Sequence, residues 1–220
     1  AGPMIIAVVG SGGKTTLIKK LAEQYRAEGK TVLVTTTTHM FIEKDTLLTD
    51  DADTILRALE ESGCAMAGIP AGIKFRALSP ETFRTVSTHA DVVLVEADGS
   101  KHMPLKFPNA TEPVIPPKVE EIVVVWGPQG LGKPAREVCH RLALVMDCLG
   151  IDGNTPITRE HVLQLLEKGY LKQANYIVTS TVESFAIGTE KHFWFLLSPY
   201  MEAANANFYR SLKPEQSAQS

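Results

Sequence analysis

An apolar run, Met4-Ile5-Ile6-Ala7-Val8-Val9, leads without a break into Gly10-Ser11-Gly12-Gly13-Lys14-Thr15-Thr16. Beyond it, Leu17, Ile18, Leu21, Ala22 and Tyr25 recur at helical spacing. Few local patterns constrain a chain so tightly. A strand without polar positions has to be buried on both faces, which is the condition of a parallel sheet. Glycines let the backbone turn sharply, so that successive N–H groups converge on one anion at the start of the next helix. Lys14 is placed to reach the β and γ phosphates of a nucleoside triphosphate, and the Thr15 hydroxyl to bind Mg²⁺. The plain alternative is a glycine turn that only joins strand to helix, and Gly-Lys-Thr-Thr at that junction argues against it. Gly10, Ser11, Gly12, Gly13, Lys14, Thr15 and Thr16 are therefore the candidate phosphate-binding residues. The loop is shorter than the usual pattern, because the position five residues before Gly13 is Val8.

The rest of the chain alternates strands with helices. Strands are expected at about Thr31 to Thr36, Cys64 to Ile69, Ile73 to Leu78, Asp91 to Val95, Ile122 to Trp126 and Tyr176 to Thr179. Helices are expected at Thr54 to Glu61, from the Ser79 cap with Pro80 to about Thr88, at Pro134 to Leu149, at Thr158 to Lys168 and within Pro199 to Ser211. This order predicts an α/β fold, a mostly parallel sheet with helices on both faces in a P-loop NTPase-like three-layer sandwich. No linker interrupts the strands, so residues 4–211 are read as a single nucleotide-binding domain. Ala1-Gly2-Pro3 is read as a tag scar and 212–220 as a flexible tail.

Composition narrows the partners. Of 220 residues, 44% are apolar and 21% charged, the balance of a soluble globular protein rather than a disordered one. With 22 Lys and Arg against 25 Asp and Glu, no global charge points to nucleic acid or an anionic membrane. No apolar run approaches the ~20 residues of a spanning helix. Cys64, Cys139 and Cys148 have no metal or disulfide spacing, so reduced thiols and a cytoplasmic location are expected. The histidines show no metal-ligand spacing either. Trp126 and Trp194 are expected in the core.

Ligands of such a sheet bind at the carboxyl ends of the strands, and two more strand ends carry suitable groups. Thr35-Thr36-Thr37-Thr38-His39 closes the second strand, where Thr37 and His39 are candidates for contact with nucleotide or substrate. Val92-Val93-Leu94-Val95 ends in Glu96-Ala97-Asp98-Gly99. A carboxylate there holds Mg²⁺ beside the loop hydroxyl, and the i, i+2 spacing puts Glu96 and Asp98 on one side of an extended chain. Thr15, Glu96 and Asp98 are the candidate metal ligands, and Lys14, Glu96, Asp98 and Lys101 the candidate catalytic set. The irregular stretch from Asp98 to Pro117, with five prolines, is too long to be an idle connection. Its Lys101 and Lys106 offer cations to a small phosphorylated or carboxylated ligand.

Two known groups share parts of this layout. The shortened loop ending in Gly-Lys-Thr-Thr is similar to that of the Mur amide ligases. Lys19-Lys20-Leu21, Gly29 and the Thr35 to His39 segment are similar to the molybdopterin-guanine dinucleotide adaptor GTPases. A more specific resemblance rests on Gly10 to Thr16, Thr35 to Met40, Glu96 to Lys101, Pro104-Leu105-Lys106-Phe107-Pro108 and Glu112 to Pro116 in this order and spacing. Together these motifs resemble the selenium-dependent hydroxylase accessory protein family, also called YqeC-type. Cys139-His140-Arg141 and the helix start at Ile157 to Glu160 also fit, so the resemblance spans about Met4 to Gln173. It implies a P-loop NTPase fold and a role in the maturation of selenium-dependent molybdenum hydroxylases, with such an enzyme or its cofactor-assembly machinery as partner. The chain departs from the family after the Tyr176 strand, where Thr179 to Glu183 supplies no Asn-Lys-x-Asp-like segment to read guanine. ATP or GTP with Mg²⁺ is thus the expected ligand, and NTP hydrolysis the expected reaction. An ATP-dependent ligase or kinase acting on a small anionic substrate is the alternative. His140 and Arg141 are expected in mid-helix, and Gly127 to Lys133 is read as a turn.

Overall fold

Strands whose every residue is apolar end up between two other strands. The computed structural model describes residues 2–170, 172–174, 176–180 and 185–188. These fold into two compact units that share the chain: 1–9, 14–99 and 112–121 in the first, 10–13, 100–111 and 122 onward in the second.

In the first unit, β1 (Met4–Gly10), α1 (Lys14–Ala27), β2 (Val32–Thr36), β3 (His39–Phe41) and β4 (Thr46–Leu48) are followed by α2 (Ala52–Ser62) and β5 (Cys64–Ala71). Then come β6 (Lys74–Arg76), α3 (Pro80–Ser87) and β7 (Val92–Glu96). The strand order is β1-β7-β2-β5-β6-β3, with β4 on β5. The β1, β7, β2, β5 and β4 pairings are parallel, while β6 and β3 add antiparallel strands at one edge. The fold is therefore α/β with a mixed, mostly parallel sheet. β7 lies between β1 and β2 and is buried at every residue, as its unbroken apolar run requires. Alternate residues separate its two sides. Ile5, Leu33, Val93 and Ala65 pack against Ile55 and Leu59 of α2 and Val86 of α3. Val34 points the other way and shares a cleft with Ala22 of α1, which lies on β2 and β7. Both sheet faces of this unit carry helix, as expected.

Local signals account for the helix starts. Ser79 accepts a hydrogen bond from the Thr82 N–H with Pro80 in the first turn, and Asp51 does the same for Thr54 at the head of α2. Asp51 moves that start upstream of the expected Thr54. The short strands β3 and β4 carry no periodicity of their own and exist by pairing with β6 and β5.

In the second unit, β8 (Leu105–Lys106), β9 (Glu121–Trp126) and a 3-10 turn at Pro128–Gly130 precede α4 (Ala135–Val138), β10 (Cys139–His140) and α5 (Leu142–Leu149). α6 (Arg159–Gly169), β11 (Tyr176–Ser180) and β12 (Phe185–Gly188) follow. β9 and β11 pair in parallel and β12 is antiparallel to β11. Thr158 caps α6 in a reciprocal box with His161. The Gly127 turn is present as expected, and Trp126 is core.

One expectation fails here. Pro134 to Leu149 is not a single helix: α4 ends at Val138, Cys139–His140 form β10 beside β8, and Arg141 turns into the left-handed region at φ 62° before α5. Pairing with Leu105–Lys106 competes with the helix and wins, so His140 and Arg141 do not sit in mid-helix. The helix expected at Pro199 to Ser211, and Trp194, lie outside the described residues. Among the described residues no helix is long and apolar enough to cross a membrane.

Cys64, Cys139 and Cys148 are all free thiols. Burial pushes the Cys139 thiol up to about 12. At pH 8 its thiolate fraction is then on the order of one in ten thousand. Iodoacetamide labelling of the folded protein, read by peptide mass spectrometry, is expected to modify Cys139 only after unfolding. Labelling at the rate of a small-molecule thiol would contradict its burial.

Candidate functional site

The carboxyl end of β7 is the chemical centre of the first unit. Its register fixes Glu96 between Val8 of β1 and Thr36 of β2. α1 opens at Lys14, and its Nζ lies 3.4 Å from Glu96 Oε1. Both groups are nearly out of solvent, at 4% and 8% exposure, and Asp98 is wholly buried. Two expected catalytic residues from distant parts of the sequence thus form one buried ion pair, with the third a residue beyond Ala97. Burial pushes the Glu96 carboxyl above its ordinary range and the Asp98 charge adds to that, while Lys14 and, more weakly, Lys74 pull it back.

Glu96 therefore couples stability to pH with a definite sign. A group whose folded pKa is raised holds its proton more tightly in the native state than in the unfolded chain. Its contribution is complete below the ordinary glutamate range and is lost as pH rises through the raised value. Urea unfolding of the wild type and Glu96→Gln at pH 4 to 7.5 should show the wild type losing stability relative to the variant as pH increases. A constant difference across that range would contradict the assignment.

The threonines ahead of His39 are committed to the backbone. Thr35 donates to the Ala67 carbonyl at 2.8 Å and Thr36 to the Glu96 carbonyl at 2.7 Å. The Thr36 oxygen also accepts from the Thr38 N–H at 2.9 Å. Thr37 donates its hydroxyl to the Val114 carbonyl at 2.6 Å and its N–H to the Glu96 carbonyl at 3.1 Å. They pin the end of β2 to that of β7 and fix the direction of the Glu96 backbone. His39 is exposed on β3, opposite Arg76 of β6. Thr15 is half-buried and Thr16 exposed in the first turn of α1. The structure thus unites Lys14 and Glu96 and joins Thr37 to Glu96 through the backbone. Thr36 holds the Glu96 backbone carbonyl and Lys74 acts electrostatically on its carboxylate, although neither stood out in the sequence: threonine reads as strand-favouring, and Lys74 reaches Glu96 only through folding.

In the second unit the glycine loop has the backbone its sequence demands. Gly10, Gly12 and Gly13 adopt φ of 91°, 76° and 100°. A Cβ on Gly10 would lie 2.2 Å from the Val125 carbonyl oxygen. Ser11 donates its N–H to that same carbonyl at 2.8 Å and its hydroxyl to the Pro104 carbonyl at 3.0 Å. Lys101 and His102 are exposed, and both hold left-handed backbone, at φ of 49° and 60°.

The donor set suits a hard cation. Thr15, Glu96 and Asp98 offer only oxygen, and Mg²⁺ needs just one or two protein oxygens when phosphate and water complete its shell. Among the described residues no group of three or more His, Cys, Asp and Glu side chains forms a self-sufficient metal cage. The glycine loop packs against β9, where a side chain at Gly10 is excluded by the Val125 carbonyl.

Comparison with known proteins gives two findings. A family model described as "YqeC protein" matches residues 6–143. An "Uncharacterized protein YqeC" from Escherichia coli (strain K12) is 35% identical over 173 residues, covering 74% of this chain and 68% of that protein.

Proposed function

The chain belongs to the YqeC family, and from that premise we propose that it binds a nucleoside triphosphate with Mg²⁺ and hydrolyses it. In this reading residues 4–211 form one P-loop-type domain, a three-layer sandwich. The observation that carries it is the Lys14–Glu96 pair, a buried lysine at the first turn of α1 held 3.4 Å from a carboxylate at the end of a central strand. A buried pair of this kind is costly to keep for stability alone, since apolar residues would fill the space at no desolvation cost. It is useful if Lys14 is held ready for a phosphate that then takes the place of Glu96.

The roles follow from chemistry. The loop from Gly10 to Gly13 would close around the phosphates while the Ser11 N–H stays on the Val125 carbonyl, and Lys14 would supply the charge for the β and γ phosphates. Thr15, Glu96 and Asp98 would hold Mg²⁺, which when bound neutralises charge on the transferring phosphoryl group. Released from Lys14, Glu96 can orient the attacking water, as its raised affinity for protons suits a base. Thr37 and His39 line the exit of β2 for contact with nucleotide or substrate. Base choice between ATP and GTP is left to side chains other than an Asn-Lys-x-Asp-like segment.

The biological setting proposed is maturation of selenium-dependent molybdenum hydroxylases, in which hydrolysis switches the protein on or off a partner. The exposed Lys101 and His102 favour a second reading, an ATP-dependent ligase or kinase for a small anionic substrate, because strained backbone is retained where it serves a site. Phosphate release separates them. Release from ATP or GTP with Mg²⁺ alone, accelerated by a partner protein, supports the switch; release only with a small acid present supports the ligase or kinase. No release under either condition would remove hydrolysis from the proposal.

A further inference from the structure

β5 pairs in parallel with β2 on one side and β4 on the other, and a strand so placed is ordinarily covered on both faces. Its Ala65 and Ala67 pack on the side of α2 and α3. Cys64 and Met66, one residue out of step, point to the opposite face and are only half-buried. Helix α1 is on that face but packs on β7 and β2. Beside it lies a cleft of about 660 Å³, lined by Val34, Cys64 and Met66 of the sheet and by Ala22 of α1. All of its lining residues belong to the first unit.

Two polar ties cross from α1 to the other wall of this cleft. Lys19 Nζ lies 2.6 Å from Glu43 Oε1, in the turn before β4. Arg26 donates from one Nη to the Ser62 carbonyl at 3.0 Å, at the end of α2. Lys19 and Arg26 are two helical turns apart, ~10 Å along the axis. A helix or an extended peptide laid over β5 would have to break these ties, whereas a small molecule fits between them. The volume lies within the roughly 300–1,000 Å³ of small-molecule sites.

Charge narrows the ligand further. Lys19, Arg26 and Lys44 face Glu23, Glu43 and Asp45 around the cleft, so a polyphosphate gains little there and a monoanion needs only one cation. Arg26 is suited to be that cation. Among the described residues no carboxylate pairs with it, and its bond to Ser62 leaves most of its five N–H donors for a planar anion. Its charge also reaches the sheet: burial pushes the Cys64 thiol up and Arg26 pulls it back.

We propose that this cleft is a second binding site, for a small monocarboxylate with an apolar body. The carboxylate sits on Arg26 and the hydrocarbon over Val34, Cys64 and Met66. The site is independent of the nucleotide reading. It reaches the end of the sheet where Cys64 begins β5 and α1 finishes, while Lys14 opens α1 and Glu96 closes β7.

The test titrates dansylglycine, a fluorescent monocarboxylate with an apolar ring system, and its neutral amide into the wild type, Arg26→Met and Met66→Trp. Cooperative urea unfolding of each protein is the control for folding. The wild type should bind dansylglycine at one saturable site, about tenfold more tightly than the amide. Arg26→Met should lose that preference and keep amide binding within about twofold. Met66→Trp, which fills the cleft, should bind neither. Saturating dansylglycine should slow iodoacetamide labelling of Cys64 in the wild type and leave Cys148 unchanged. A wild type that binds neither probe, or both equally, overturns the inference, as does binding that leaves Cys64 labelled at its free rate. A folded Met66→Trp that binds like the wild type overturns it too. Where that variant does not fold, the Cys64 labelling decides.

Discussion

Lys14→Met is expected to separate the two roles of its lysine. Removing the ammonium leaves Glu96 buried at 8% exposure without the cation 3.4 Å away, beside the wholly buried Asp98. Breaking a buried pair on one side costs about 3 kcal/mol at pH 7, with proton uptake by Glu96 limiting the loss. Phosphate binding is lost for another reason, since the charge that meets the β and γ oxygens is gone, and the affinity should fall at least about 100-fold. The double variant Lys14→Met, Glu96→Gln distinguishes the effects. Neutral glutamine no longer needs a counter-charge, so stability should return to within about 1 kcal/mol of the wild type while nucleotide affinity stays lost. Urea unfolding and calorimetry on the same samples read both quantities. If the double variant regained nucleotide binding, Lys14 would be a structural partner of Glu96 and nothing more.

Gly10→Ala is expected to be the most damaging single methyl group in the glycine loop. Its backbone sits at φ 91°, and the new Cβ would fall 2.2 Å from the Val125 carbonyl oxygen, which already accepts the Ser11 N–H. Neither atom is the far end of a flexible side chain, so the clash can be relieved only by moving the loop or β9. Left-handed strain of ~1–3 kcal/mol adds to the steric term, for a total of about 4 kcal/mol or more, or failure to fold. Gly29→Ala is the control. Its φ is similar, at 79°, but no atom lies within 4 Å of the new Cβ, so only the strain of about 1 kcal/mol should remain. Equal midpoint shifts in urea for the two variants would mean that Val125 does not confine the loop.

The features legible in the sequence were those governed by local rules. Apolar runs such as Val92 to Val95 could only be interior strands, and Ser79 before Pro80 could only open a helix. The pairing of Lys14 with Glu96 was foreseeable in kind, because parallel strands deliver their carboxyl ends to one edge of the sheet. What escaped depended on partners far away in sequence. Between Ala135 and Leu149 no glycine or proline warns of a break, yet a ladder with Leu105–Lys106 extends Cys139–His140 and turns Arg141 left-handed. Thr37 and His39 were the expected ligand contacts at the end of β2. Thr35, Thr36 and Thr37 donate to the carbonyls of Ala67, Glu96 and Val114, acceptors supplied by other segments. Lys106 looked like a surface cation and is buried, since no local pattern records that Pro104 is held by Ser11 and Gly127.

In the proposed reading, Lys14 and its loop receive a magnesium-bound nucleoside triphosphate. Calorimetric titration of the wild type with ATP and with GTP at pH 7.5, each with Mg²⁺ and again with excess EDTA, tests it most directly. Saturable one-to-one binding of at least one nucleotide, weakened when Mg²⁺ is withdrawn, is the expected result. No saturable binding of either nucleotide at millimolar concentration, with the protein folded and Mg²⁺ present, would contradict it.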